Sequence, residues 1–149
     1  NDTTRFSTLP LAPGDNGAAV LQVSGWKTGF PMRTGFGRGF AEHDPWRFDA
    51  MRLVDSGEAD CAMWIAATGA AAPPWRREVP LIMLSAEPDA SKAEVAFAVG
   101  RPGIDHDGVA YNAASGTLAP MAAAKPREAC TVADVVTQIA AALPEGAPC

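Results

Sequence analysis

No stretch of this chain approaches the roughly 20 consecutive apolar residues that cross a bilayer, and its first residues carry neither the basic nor the apolar region of a signal peptide. The expectation is a soluble, cytoplasmic protein with no membrane partner. Cysteine is scarce. Cys61, Cys130 and Cys149 are odd in number, form no CxxC pair and include one in a run with the character of a buried strand, so neither a disulfide framework nor a cysteine-based metal site is expected. A surplus of Lys and Arg is absent as well. The formal net charge is -5, which argues against a bare nucleic-acid or anionic-membrane binder. The common catalytic motifs are missing too: Gly25-Trp26-Lys27-Thr28 lacks the upstream glycine of a P-loop, and there is no GxSxG or HExxH.

What is present suits one α/β domain over residues 1–149. Apolar residues make up 48% and charged residues 19%, with 14 Gly and 13 Pro, which fits a folded core joined by long irregular connections. The opening NDTTRFSTLPLAPGDNG has no initiator Met and begins in mid-pattern, as the C-terminal fragment of a longer subunit would.

The stretch from Asp44 to Pro73 reads as one helix–turn–strand–loop unit. Asp44 suits an N-cap and Pro45 the first helical position. Phe48, Met51, Leu53 and Val54 share one face of the expected helix, Gly57 supplies a left-handed end, and Cys61–Ala67 forms an apolar run expected to be a strand covered on both faces. On that reading Trp64→Ala or Ile65→Ala costs about 2–5 kcal/mol. Thr68 and Gly69 end the strand, where open α/β sheets bind ligands.

The remaining elements follow in order. Asp15 or Asn16 caps an expected helix, AAVLQVSGW, ending near Gly25. Lys27 to His43 holds too many glycines for a regular element and is expected to be a long functional or partner-bound loop. VPLIMLSA and VAFAVG read as further buried strands, with one helical turn between them at Glu87–Lys92, and together with the first they suggest a parallel sheet. Val109–Tyr111 and Thr117–Leu118 flank a turn and form a small hairpin. Thr131 caps a last helix, with Asp134 three residues on and Val132, Val135, Val136, Ile139 and Leu143 as its buried stripe. Pro144 ends it, before a loose tail.

Candidate chemistry is thin. Gly35-Phe36-Gly37-Arg38-Gly39 is superficially like a dinucleotide fingerprint, but its spacing and context are wrong. Asp105-His106-Asp107 offers a base or metal ligand, yet adjacent side chains cannot all converge on one ion, and a polar turn before Gly108 is the preferred reading. Arg33 and Arg38 are the best anion contacts in the glycine-rich loop; the plainer alternative is solvated loop charge. His43 reads as a loop residue, and the four tryptophans as packing or interface residues.

The order TGFPMRTGFGRGF, DPWRFDAMRLVDSGEADCAMWIAA, a strand, and GIDHDGVAYNAASGTLAP resembles the B-type subunit of formylmethanofuran dehydrogenase and that of the bacterial formyltransferase/hydrolase complex. More distantly it is similar to the pterin-dinucleotide-binding domain of molybdopterin oxidoreductases. The resemblance, from about Arg5 to Pro120, implies a Rossmann-like, mostly parallel sheet with flanking helices. It also implies work in tetrahydromethanopterin- and methanofuran-linked one-carbon metabolism, with formate as product.

Departures from the family pattern shape that expectation. Thr68-Gly69-Ala70-Ala71-Ala72 stands where relatives have an acidic residue and proline, and Leu84-Ser85-Ala86 stands where a polar residue reads guanine. Gly108, Tyr111, Asn112 and Gly116 are kept. The N-terminal portion that in relatives carries the iron–sulfur cysteines and the metal ligand is not within this sequence.

The preferred reading is a scaffold subunit that assembles with the other subunits, with no catalytic, metal or cofactor residue in this chain and with Phe30, Arg33, Phe36, Arg38 and Phe40 at an interface. The alternative is a part that binds molybdopterin guanine dinucleotide through Thr68, Gly69, Ser85, Gly108 and Asn112. A third is a free-standing small-ligand domain.

Overall fold

Three apolar runs free of proline and charge, LIMLS flanked by AMWIA and VAFA, pair as parallel strands and set the plan of the molecule. The computed structural model describes residues 17–68, 72–112 and 115–143. The elements in chain order are α1 (Gly17–Thr28), β1 (Thr34–Gly35), β2 (Glu42–His43), α2 (Ala50–Asp55), β3 (Ala62–Ala66), β4 (Leu81–Ser85), β5 (Val95–Ala98), β6 (Gly108–Asn112), β7 (Thr117–Met121) and α3 (Val132–Ala142). The parallel sheet has the order β3-β4-β5, and β1-β2 and β6-β7 are separate two-stranded antiparallel ribbons. The α/β class with a parallel sheet and a small hairpin is therefore as expected.

β4 is buried on both faces: Leu81 and Met83 lie on one, and the main core cluster lies on the other. Leu84 is fully buried and packs with Val99 and Val135, and Ala67, Ile82, Phe97, Val132 and Ile139 close around them. Residues two apart on a strand share a face, so α3 covers the side of the sheet that carries Ile82, Leu84 and Phe97. The helix starts where the sequence places it. The Thr131 hydroxyl accepts from the Asp134 N–H at 3.1 Å, and the Asp134 carboxylate accepts from the Thr131 N–H at 2.8 Å, which completes a capping box.

Several expectations change. β3 is not covered on both faces: it lies at the edge of the sheet, Met63 is 41% and Ile65 48% exposed, and the 2–5 kcal/mol figure does not carry over to Ile65. The helix does not start at Pro45. Asp44 caps only a turn, its carboxylate accepting from the N–H groups of Trp46 and Arg47, while Asp49 caps the helix proper through Arg52 N at 2.9 Å. The Arg52 guanidinium takes the Trp46 and Arg47 carbonyls at 2.9 and 2.7 Å. Those are the acceptors that a continuous helix would have offered to its own N–H groups. Of the stripe on that segment Val54 is buried but Met51 is exposed, and on α3 Val136 and Leu143 are exposed. Finally, the glycine-rich loop is not irregular throughout, because α1 runs on to Thr28 and β1 pairs with β2 within it.

β5, expected to be buried, is the other edge of the sheet with Val95 44% exposed, whereas the glycine signals hold. Gly57 and Gly116 adopt φ of +78° and +66°, where a side chain would be strained. Gly116 N donates to Asn112 O at 2.8 Å to close the β6–β7 turn. The cap of α1, Pro144, the tail and Gly69 lie outside the described residues.

Candidate functional site

Two regions bear on function, and the first is the loop that follows α1. Its conformation is cross-braced. The Arg33 guanidinium pairs with Asp49 at 2.8 Å and donates to Pro45 O at 3.2 Å, while His43 Nδ1 lies 3.1 Å from Arg33 O. Phe30 stacks on the His43 ring at 5.9 Å between centroids. Gly35 is required on steric grounds, since a Cβ there would come within 2.3 Å of the Phe48 ring. Arg33 holds φ of +69°, a left-handed conformation unusual for a non-glycine residue. Arg38 reaches Glu42 at 3.3 Å.

Both arginines expected as anion contacts thus serve first to hold the loop. The aromatic residues they frame are left outside: Phe30, Phe36 and Phe40 are exposed, together with Trp26, Met32 and Trp46. A braced segment that presents this many aromatic side chains has the composition of an interface core, and its ordering costs little further entropy on binding.

The second region is a cleft of about 720 Å³ beyond the carboxyl ends of β4 and β5, faced by Glu87, Arg101, Asp105, Lys125 and Arg127. In open α/β sheets ligands settle at such a place. Arg101 pairs with Glu87. Arg127 clasps Asp105 through two bonds of 2.6 and 2.8 Å, and the same carboxylate accepts from Arg101 N at 2.7 Å. Asp105 is 6% exposed. The Arg127 guanidinium, with help from the Arg101 N–H, holds its carboxyl down at about 2.

The clasp ties the connection after β5 to the segment that leads into α3. Asp105-His106-Asp107 is accordingly a turn whose side chains diverge: His106 lies between the carbonyls of Gly100 and Asp107, and Asp107 accepts from Ala123 N at 2.9 Å. Sequence reasoning singles out this turn but misses the cleft. The available signal lies in Glu87 and Arg101, each just past the carboxyl end of a strand.

Of the residues named for a bound dinucleotide, Gly69 lies outside the described residues, and Thr68, Ser85, Gly108 and Asn112 do not line that cleft. Ser85 is 2% exposed and its hydroxyl accepts from Glu87 N at 3.2 Å. Gly108 sits against Pro102, where a Cβ would come within 2.7 Å. Asn112 is at the other end of β6, about 13 Å along the strand. Thr68 follows β3, on the edge of the sheet. Among the described residues no group of three or more His, Cys, Asp or Glu side chains is placed to hold a metal ion, and no helix is long and apolar enough to cross a membrane.

No family model matches the sequence. Individual proteins do. The chain is 40% identical over 147 residues to the B-type subunit of the formyltransferase/hydrolase complex Fhc of Methylorubrum extorquens, covering 93% of this chain and 41% of that protein. It is 27% identical over 118 residues to the B-type subunit of tungsten-containing formylmethanofuran dehydrogenase 2 of Methanocaldococcus jannaschii, over 74% of this chain and 27% of that one. In the X-ray crystal structure of the formyltransferase/hydrolase complex from Methylorubrum extorquens with methylofuran, one chain superposes with a TM-score of 0.82 at 41% identity, covering 93% of this chain and 40% of that chain. The chain spans about two fifths of the length of these Methylorubrum extorquens relatives. The resemblance carried by the motifs therefore stands in sequence and in fold: this chain is a homologue of a segment of the B-type subunit of the formyltransferase/hydrolase complex.

Proposed function

We propose that this chain is part of a non-catalytic, B-type scaffold subunit of a formyltransferase/hydrolase complex. In such a complex a formyl group passes from a tetrahydromethanopterin carrier to a methanofuran-type carrier and is hydrolysed to formate, with the chemistry on other subunits. The observation that carries the reading is the 40% identity to the Fhc B-type subunit over 93% of the chain. The cytoplasm is its proposed location and the other subunits its proposed partners.

The loop is its proposed contact with them, with Phe30, Phe36 and Phe40 as anchors and Arg33 and Arg38 holding the presenting conformation. The exposed aromatic side chains and the internal bracing support this. Phe36→Ala combined with Arg38→Ala is expected to weaken co-purification with the neighbouring subunits while the circular dichroism of the chain is unchanged. Normal assembly with lost affinity for a small anion would make the loop a ligand clamp instead.

A second reading, a part that binds molybdopterin guanine dinucleotide, is favoured by the similarity to a B-type subunit of a tungsten-containing dehydrogenase. Against it stand the buried Ser85 hydroxyl, already bonded to Glu87 N, and the separation of Asn112 from Gly108 along β6. Metal analysis of the purified complex separates the two. Molybdenum or tungsten near stoichiometric with this chain, and held by it, would overturn the scaffold reading.

A further inference from the structure

We propose that the open edge of β3 is the docking line for an additional parallel β-strand, supplied by the part of the B-type polypeptide outside the matched segment; this rests on the B-type reading. The hydrogen-bond phase of the strand sets the argument. Ala62 N donates to Pro80 O at 2.9 Å, in register with Leu81 on β4. In a parallel ladder alternate residues address opposite neighbours, so Ala62, Trp64 and Ala66 turn their backbone groups toward β4. Met63 and Ile65 turn theirs away from the sheet, where β3 has no neighbour among the described residues.

The side chains tell the same story. Met63 and Ile65 lie on the face that carries Leu84, yet they are outside the cluster that α3 covers there and stay 41% and 48% exposed. Natural edge strands are guarded by charge, proline, a bulge or extreme shortness. The run CAMWIAA has no charge or proline and pairs with β4 without a bulge. Its chemistry is that of an interior strand.

The occupant follows from the geometry. A parallel strand needs a crossover connection, usually a helix, and that helix would lie over Met63 and Ile65, so one strand–helix unit meets both the unpaired backbone and the bare apolar side chains. Two copies joined about a two-fold axis at this edge would run antiparallel and bring no covering helix. The Methylorubrum extorquens relatives have more than half of their length outside the match, ample chain for such a unit.

The test uses the B-type subunit purified with its complex, with amide hydrogen exchange resolved at β3 and a diazirine cross-linker in place of Met63. The Met63 and Ile65 amides are expected to exchange at least about 100-fold more slowly than in an unstructured peptide, and the cross-link to map within the same polypeptide outside this segment. Fast exchange at Met63 and Ile65 beside a protected Trp64 would overturn the proposal, as would a cross-link to a second copy or to another subunit. A subunit that never co-purifies with the complex defeats the B-type reading and the proposal with it, a result distinct from an assembled complex with an open edge.

Discussion

Leu84→Ala tests the placement of the core on β4 instead of β3. Leu84 is fully buried and enclosed by the neighbouring strands and α3. Removing three carbons forfeits about 2.4 kcal/mol of transfer free energy at about 0.8 kcal/mol each. A void of roughly 40–80 Å³ that strands and helix cannot close adds about 1–2 kcal/mol. The expected loss is therefore about 3.5–4.5 kcal/mol, a large fraction of the roughly 5–15 kcal/mol that keeps a domain folded. Ile65→Ala removes a comparable volume from a residue already 48% in water, so about half the transfer value and no enclosed void are lost, near 1 kcal/mol. Urea unfolding of both variants of this chain by itself, without the strand–helix unit proposed to cover Ile65, read as the shift in midpoint at unchanged slope, measures the two losses. A Leu84→Ala loss below about 1.5 kcal/mol, or one no larger than that of Ile65→Ala, would refute the assignment of the core.

Two further outcomes follow from the local geometry. Thr131→Ala removes the hydroxyl half of the capping box on α3 and should cost about 0.5–2 kcal/mol in urea unfolding; Thr131→Ser, which keeps the acceptor, should restore most of it. The Asp105 carboxyl is lowered in the folded chain from 3.8 to about 2 by Arg127 and Arg101 N, so its contribution is complete above pH 4 and lost as pH falls from about 4 toward 2. Asp105→Asn should therefore be less stable at neutral pH and show a shallower loss of stability across that acid range, followed by circular dichroism; parallel acid profiles would contradict the clasp.

Local signals were legible wherever the residues themselves enforce the structure. Thr131 and Asp134 cap α3 through their own side chains, Gly57 and Gly116 occupy conformations that other residues resist, and uncharged apolar runs make strands in any α/β context. The motif order likewise carried the resemblance to B-type subunits, because it depends on sequence alone.

Tertiary structure decided the rest. Which apolar run lies in the middle of the sheet depends on pairing between distant segments, so CAMWIAA and VPLIMLSA look alike until β4 takes the centre and β3 the edge. The break before α2 depends on where the Arg52 guanidinium folds back, and the Asp105–Arg127 clasp joins residues on either side of a hairpin. No local rule reaches across such distances, since the energy of each contact exists only once the chain has closed on itself.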